Sequence, residues 1–171
     1  MQLPRTFHHV GVLVPDMDEA IRWFGDVLGV TFRAPERMVT QRRVDPGEFG
    51  DEEPHEGVSY LAWSVDGPPY YELAEAKKGC AGLHSLEQQG PGLHHVARYV
   101  PDVDAEIRRL ADRGTKLQGR VLGPDGRTMV CWTERAPETG LAVEYLDERL
   151  LVPTQAWIET GKRPDVGGAI R

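Results

Sequence analysis

Apolar and polar positions along this 171-residue chain fall into two runs of the same form. In the first, residues 7–14 (FHHVGVLV) are mostly apolar and end at Pro15, which predicts a strand. Asp16 or Asp18 then caps a helix whose apolar positions Ala20, Ile21, Trp23, Phe24, Val27 and Leu28 recur at steps of three and four, and Gly29 stops it. Residues 30–34 open a second strand that continues through Met38 to Val44. Asp45, Pro46 and Gly47 lead into an acidic, Gly- and Pro-rich stretch reaching Gly57, which reads as an exposed loop. Residues 58–65 and 69–76 read as two further strands joined around Asp66 and Gly67.

The same order then returns. A joint at 77–92 is expected to hold a short helix at 81–89. After it come a strand at 93–100 and a helix at 102–113 with Val103, Ile107, Leu110 and Ala111 on its apolar face, then strands near 115–121, 127–133 and 141–147. His9 and His95 are separated by the same interval as Asp16 and Asp102, so strand, turn and helix keep one register. A repeat at this scale predicts a duplicated module. The expected fold is α/β (α+β): two tandem βαβββ modules, 6–76 and 93–147, forming a curved, mixed eight-stranded sheet around a metal cavity, with the helices on its outer face. Residues 148–171 are an extension outside the repeat, with a helix-like segment at 154–159 that covers either the cup or a dimer partner.

Composition narrows the function. With 40% hydrophobic residues the chain can bury a full core, and a net charge of −7 argues against nucleic acid as a partner. No apolar run is long enough to span a membrane, and the first residues carry no leader pattern, so a soluble, cytoplasmic protein is expected. Cys80 and Cys131 make no disulfide or zinc framework and read as small buried thiols.

The candidate chemistry lies in matched positions. Each copy offers a His-His pair in its first strand (His8 and His9; His94 and His95) and a Glu in its last (Glu72; Glu144). Side chains alternate along a strand, so one member of each pair faces a shared cavity and the other faces away. A single strand histidine is ordinarily a core or surface residue; here that explanation would have to hold twice at equivalent places. Two imidazoles and two carboxylates brought to one point suit a divalent transition metal (Co, Ni, Mn, Zn or Fe) and leave adjacent positions for a chelating substrate. Trp63 and Trp132 sit on strands that would line the cup.

Residues 6–147 resemble the vicinal oxygen chelate superfamily, which includes glyoxalases, methylmalonyl-CoA epimerases, extradiol dioxygenases and bleomycin-resistance proteins. The stretches FHHVGVLVPDMDEAIRWFGDVLGV, YYELAEA, GPGLHHVARYVPDVDAEIRRLADRG and LAVEYLDE carry the resemblance. Within the superfamily the lead-in HSLEQQGPGLHHVA is most similar to the methylmalonyl-CoA epimerases. The resemblance implies that the second histidine of each pair is the ligand, giving the metal set His9, Glu72, His95 and Glu144. It implies metal-dependent proton transfer next to a carbonyl, an epimerase or isomerase acting on an acyl-CoA or a related compound, in a homodimer. Glu144 is the expected base, Glu72 the second candidate, and Tyr60, where the epimerases carry Glu, a proton donor. Arg33, Arg37, Arg42 and Arg43 are candidates for CoA phosphates. The epimerases usually have Gln at the place of Glu72, and the His-Glu-His-Glu set is that of metal-dependent glyoxalases. The alternatives are therefore a glyoxalase-type lyase, an Fe(II) ring-cleaving dioxygenase and a non-catalytic ligand-binding resistance protein.

Overall fold

Two antiparallel strands, β1 (His9–Leu13) and β5 (Gly92–Val100), form the seam on which the rest of the molecule is hung. The computed structural model describes residues 7–45 and 51–164. After β1 come α1 (Met17–Leu28), β2 (Glu36–Asp45), β3 (Asp51–Trp63) and β4 (Tyr70–Lys78). A linking helix α2 (Ala81–Gln89) leads to β5, then α3 (Val103–Ala111), β6 (Leu117–Leu122), β7 (Thr128–Thr133) and β8 (Ala142–Asp147). The order β-α-β-β-β thus occurs twice. A short 3-10 turn, Glu148–Leu150, then opens into α4 (Leu151–Thr160).

The eight strands lie in the order β1-β4-β3-β2-β6-β7-β8-β5 and close on themselves. The sheet is mixed: β1 pairs parallel with β4 and β5 with β8, while the other neighbours are antiparallel. Closure is completed by a short β2–β6 contact, Arg43 opposite Val121 and Val44 opposite Arg120.

Alternation along the strands sorts the side chains. On β4, Leu73 points outward into a cluster with Val12, Val14, Met17 and Phe24 under α1, while Glu72 and Ala74 line the interior. The second half repeats this arrangement: Tyr145 joins Val100, Val103, Leu110 and Cys131 under α3. Both outer helices start in the same way, with Asp16 Oδ1 accepting from the Glu19 N–H at 2.8 Å and Asp102 Oδ1 from the Ala105 N–H at 2.9 Å. Both cysteines are free and buried.

The structure departs from the sequence reading in three elements. Residues 30–34 form no strand: Phe32 makes an isolated bridge with Ser64, and β2 starts at Glu36, just past Pro35, which has no N–H to give a ladder. The acidic stretch read as a loop is strand from Asp51 onward, because β2 offers a pairing edge as far as Asp45; register shifts on either side of Arg43 absorb the irregular sequence around Pro54. Its remaining residues, 46–50, lie outside those described. The helices are not all on the outer face either. Trp157 of α4 packs against Met38, Trp63 and Tyr70, closing one mouth of the barrel. Arg33 holds α4 there, Nε donating to the Ile158 carbonyl at 2.7 Å and Nη2 to the Glu159 carbonyl at 2.5 Å.

Leu73 is fully buried between barrel and helix whereas Trp23 on α1 is half exposed. Leu73→Ala is expected to lower the unfolding free energy by about 2–5 kcal/mol, and Trp23→Ala to change it by less than about 0.5 kcal/mol, both read from urea denaturation.

Candidate metal centre

Strand register builds the centre before any side chain is considered. Two rows each cross five neighbouring strands: Trp132, Glu144, Ala97, His9 and Tyr70 stand in one, and Ala142, His95, Gly11, Glu72 and Trp63 in the next. In each row a histidine and a glutamate are separated by one small residue. Strands lie about 4.8 Å apart, so the two long side chains reach toward each other over the gap. Gly11 cannot be enlarged, since a Cβ there would overlap the His95 imidazole. Ala97, its counterpart, is fully buried beside His9.

Four ligand atoms converge as a result. His9 Nε2 lies 2.8 Å from Glu144 Oε2 and 3.7 Å from Glu72 Oε2, and His95 Nε2 lies 3.5 Å from each carboxylate. All four donors fall within 4.8 Å of one another, and all four residues are buried. Despite these short distances, His9 Nε2, His95 Nε2 and Glu144 Oε2 are buried without a hydrogen-bond partner, because the atoms are close but not aligned for bonding to one another. They are instead spaced like the vertices of a coordination shell: bonds of about 2.1 Å give donor–donor edges of about 3.0–3.4 Å. The donor set fits a divalent ion of the Zn, Co, Ni, Mn or Fe kind.

The first histidine of each pair is also built into the centre, which the alternation rule missed. His8 Nδ1 lies 3.0 Å from His9 Nδ1, and His94 Nδ1 lies 2.9 Å from His95 Nδ1. Burial, followed by the charge of the neighbouring imidazole, lowers the pKa of His8 to about 4 and of His94 to about 3, so both are neutral. In the tautomer in which each accepts the Nδ1 proton of its neighbour, Nε2 of that neighbour is left free for the centre, the usual outer-shell role beside a histidine ligand. The doublets were the sequence signal. What periodicity could not show is that the two rings turn edge to face, 5.3 and 5.2 Å between centroids, and meet through Nδ1. His94 moreover lines the cavity rather than facing away from it.

A cavity of about 170 Å³ opens from the centre, walled largely by apolar side chains such as Leu13, Leu61, Val121 and Leu146, with Trp63 and Trp132 on opposite sides. The ring centroid of Trp63 stands 4.8 Å from that of His9. Tyr60 does not share this space. On β3 the cavity takes Ser59, Leu61 and Trp63, while Tyr60 packs with the α1 cluster and has the Lys77 ammonium 5.9 Å from its ring centroid. Of the four arginines proposed for phosphates, Arg33 is spent on α4, Arg37 is exposed, Arg42 is half-buried and Arg43 is buried in the barrel.

Electrostatics follow from this packing. For His95, burial pulls the pKa down, but the Glu144 and Glu72 carboxylates outweigh it and raise the value above 6.5. For Glu72, burial pushes up, but the adjacent His95 and His9 imidazoles bring it below 4.5. In metal-free protein the raised His95 stabilises the fold fully below pH 6.5, and that contribution is lost as pH rises through its folded value. The lowered Glu72 stabilises above pH 4.5 and loses its contribution as pH falls through its folded value. Their joint contribution is therefore greatest between these limits. Bound metal must displace the His95 proton. Zn²⁺ is thus expected to bind more tightly as pH rises from 6 to 8 with proton release, read by titration calorimetry in buffers of different ionisation enthalpy; pH-independent binding would contradict this charge state.

Residues 8–131 match the family model described as Glyoxalase/Bleomycin resistance protein/Dioxygenase superfamily. No curated protein matches the sequence. Among solved structures the chain is similar to a hypothetical protein from Bacillus halodurans C-125, with 16% identity, 84% of this chain and 94% of that one covered, and a TM-score of 0.57. It is also similar to methylmalonyl-CoA epimerase from Mycobacterium tuberculosis, with 23% identity, coverage of 82% and 86%, and a TM-score of 0.53. A Streptomyces coelicolor methylmalonyl-CoA epimerase in complex with 2-nitronate-propionyl-CoA matches at 19% identity, coverage of 85% and 98%, and a TM-score of 0.53. These likenesses support the fold, and the family match, which spans most of the sequence, settles the ancestry: the chain belongs to the glyoxalase/bleomycin resistance/dioxygenase superfamily.

Proposed function

We propose that the protein is a metal-dependent epimerase or isomerase that moves a proton next to a carbonyl group of an acyl-CoA or related compound. The observation that carries this reading is the convergence of His9, Glu72, His95 and Glu144, with unsatisfied donor atoms, on a largely apolar cavity whose described lining holds no other carboxylate. His9, Glu72, His95 and Glu144 would hold a divalent ion, which when bound would supply Lewis-acid polarisation of the carbonyl and offset negative charge on its oxygen. Glu144, buried beside the centre, accepts the proton as the α C–H bond breaks, its carboxylate giving up its hold on the ion to do so. Glu72, on the other side of the β1–β5 seam, is the second candidate base. Tyr60, packed outside the barrel, takes no part. Trp63 and Trp157 keep bulk water from the reacting carbon. At about 170 Å³ the cavity takes the reacting end of an acyl-CoA and leaves the nucleotide outside.

The solved neighbours named as methylmalonyl-CoA epimerases motivate the first substrate to try. Protein loaded with Co²⁺, Ni²⁺, Mn²⁺, Zn²⁺ or Fe²⁺ is incubated with methylmalonyl-CoA in D₂O, and deuterium at the α-carbon is followed by mass spectrometry. Exchange that EDTA abolishes is expected, with Glu144→Gln slower by about 10²–10⁴-fold. Absence of exchange with every metal would overturn the acyl-CoA assignment. Two glutamates in the donor set favour one second reading, glyoxalase-type isomerisation, which turnover of the methylglyoxal–glutathione hemithioacetal by the same metal-loaded protein would support.

A further inference from the structure

Away from the His–Glu centre two arginines line the cavity: Arg163, whose Nε stands 3.6 Å from the Glu36 carboxylate, and Arg43, neither used in the proposed proton transfer. Arg43 on β2 is 8% exposed, and its guanidinium lies over the Trp132 ring with Cζ 4.8 Å from the centroid. Trp132 is in turn the strand partner of Glu144. The guanidinium is thus on the order of 10 Å from the centre, two strand spacings away.

The barrel makes room for this side chain on both flanks. A Cβ on Gly57 of β3 would come within 2.9 Å of Arg43 Cδ and 2.7 Å of Thr40 Oγ1. A Cβ on Gly119 of β6 would overlap the Asp45 carboxylate and stand 3.2 Å from Arg43 Nη2. Neither glycine has positive φ, so space rather than backbone freedom is what each supplies. Asp45, 1% exposed, accepts from Arg43 Nε at 2.9 and 2.7 Å through its two oxygens, and His55 Nε2 stands 3.4 Å from Oδ2. All the side-chain hydrogen bonds found for Arg43 among the described residues leave from Nε. An arginine acting only as a strut would offer Asp45 two parallel N–H groups; here Asp45 fixes the plane through Nε, and the edge carrying Nη1 and Nη2 is left to the cavity that Arg43 lines.

We propose that Arg43 receives a carboxylate of the substrate, which makes the ligand a chelating carbonyl compound with a second, anionic end. This rests on the centre's binding a carbonyl compound through a metal ion, as argued above. Subtracting a metal–oxygen bond of about 2.1 Å and a charge-assisted hydrogen bond of about 2.8 Å from roughly 10 Å leaves about 5 Å, the reach of a short dicarboxylic acid. Asp45 and Gly119 hold the guanidinium in place, and Trp132 orients its plane.

The test compares 2-oxoglutarate with 2-oxopentanoate, the same five-carbon 2-oxo acid without the distal carboxylate, by calorimetric titration of Zn²⁺-loaded protein. The wild-type comparison needs no variant. It is expected to favour 2-oxoglutarate by about tenfold or more. The double substitution Arg43→Met, Asp45→Asn, which removes the ion pair without stranding a buried charge, is expected to bring the two affinities within about twofold, with circular dichroism and metal content confirming the fold. Equal affinities that require Zn²⁺ would overturn the role of Arg43 and leave the centre standing. Affinities indifferent to EDTA would overturn the reading of the centre on which it rests.

Discussion

Histidine and glutamate side chains from strands two places apart can meet only over a residue with almost no side chain of its own. Gly11 provides that gap between His95 and Glu72, and Ala97 provides it between His9 and Glu144. The rest of the site depends on this spacing. A larger residue in either place would displace an imidazole from the centre, and a one-residue slip of β1 against β5 would turn both histidines away. Four ionisable groups are buried together here, and desolvation costs several kcal/mol per ion when charges are left uncompensated. Within the cluster, His95 and Glu72 answer this by shifting their pKa values in opposite directions; a bound cation would offset the two carboxylates more completely.

Doubling the βαβββ order supplies the chemistry in matched halves, and divergence between the halves shapes the cavity. Trp63 and Trp132 occupy corresponding places beside Glu72 and Glu144 but do different things. Trp63 packs edge-on to His9 and against Trp157 of α4, so it belongs to the closed mouth. Trp132 carries Arg43 on its face and belongs to the polar end. The extension beyond the repeat matters for the same reason: α4, tied down by Arg33, gives the barrel a wall that neither module provides.

Much of this was legible in the sequence because it rests on local rules applied twice. The interval shared by His9, His95, Asp16 and Asp102 exposed the repeat, and the last-strand glutamates followed from it. Long-range pairing was not legible. Residues 51–56 are acidic and contain Pro54, so composition reads them as loop, yet the free edge of β2 recruits them into a strand. Tyr60 was aligned to the cavity, but a register shift between Val58 and Ser59 sets the phase of β3 so that Ser59 and Leu61 face inward. His8 and His94 were assigned outward by strict alternation, which describes Cβ directions and not where a rotated ring can place Nδ1. Arg43 read as one of four candidates for CoA phosphates; only the flanking glycines of two other strands reveal that it was given space inside.

Everything proposed for the chemistry stands on two imidazole nitrogens and two carboxylate groups holding one ion. X-ray absorption of Co²⁺-loaded protein measures that shell directly. The expected spectrum has nitrogen and oxygen neighbours near 2.1 Å with the outer-shell scattering of two imidazoles. A shell containing sulfur, or one of water oxygens without imidazole, would contradict the account.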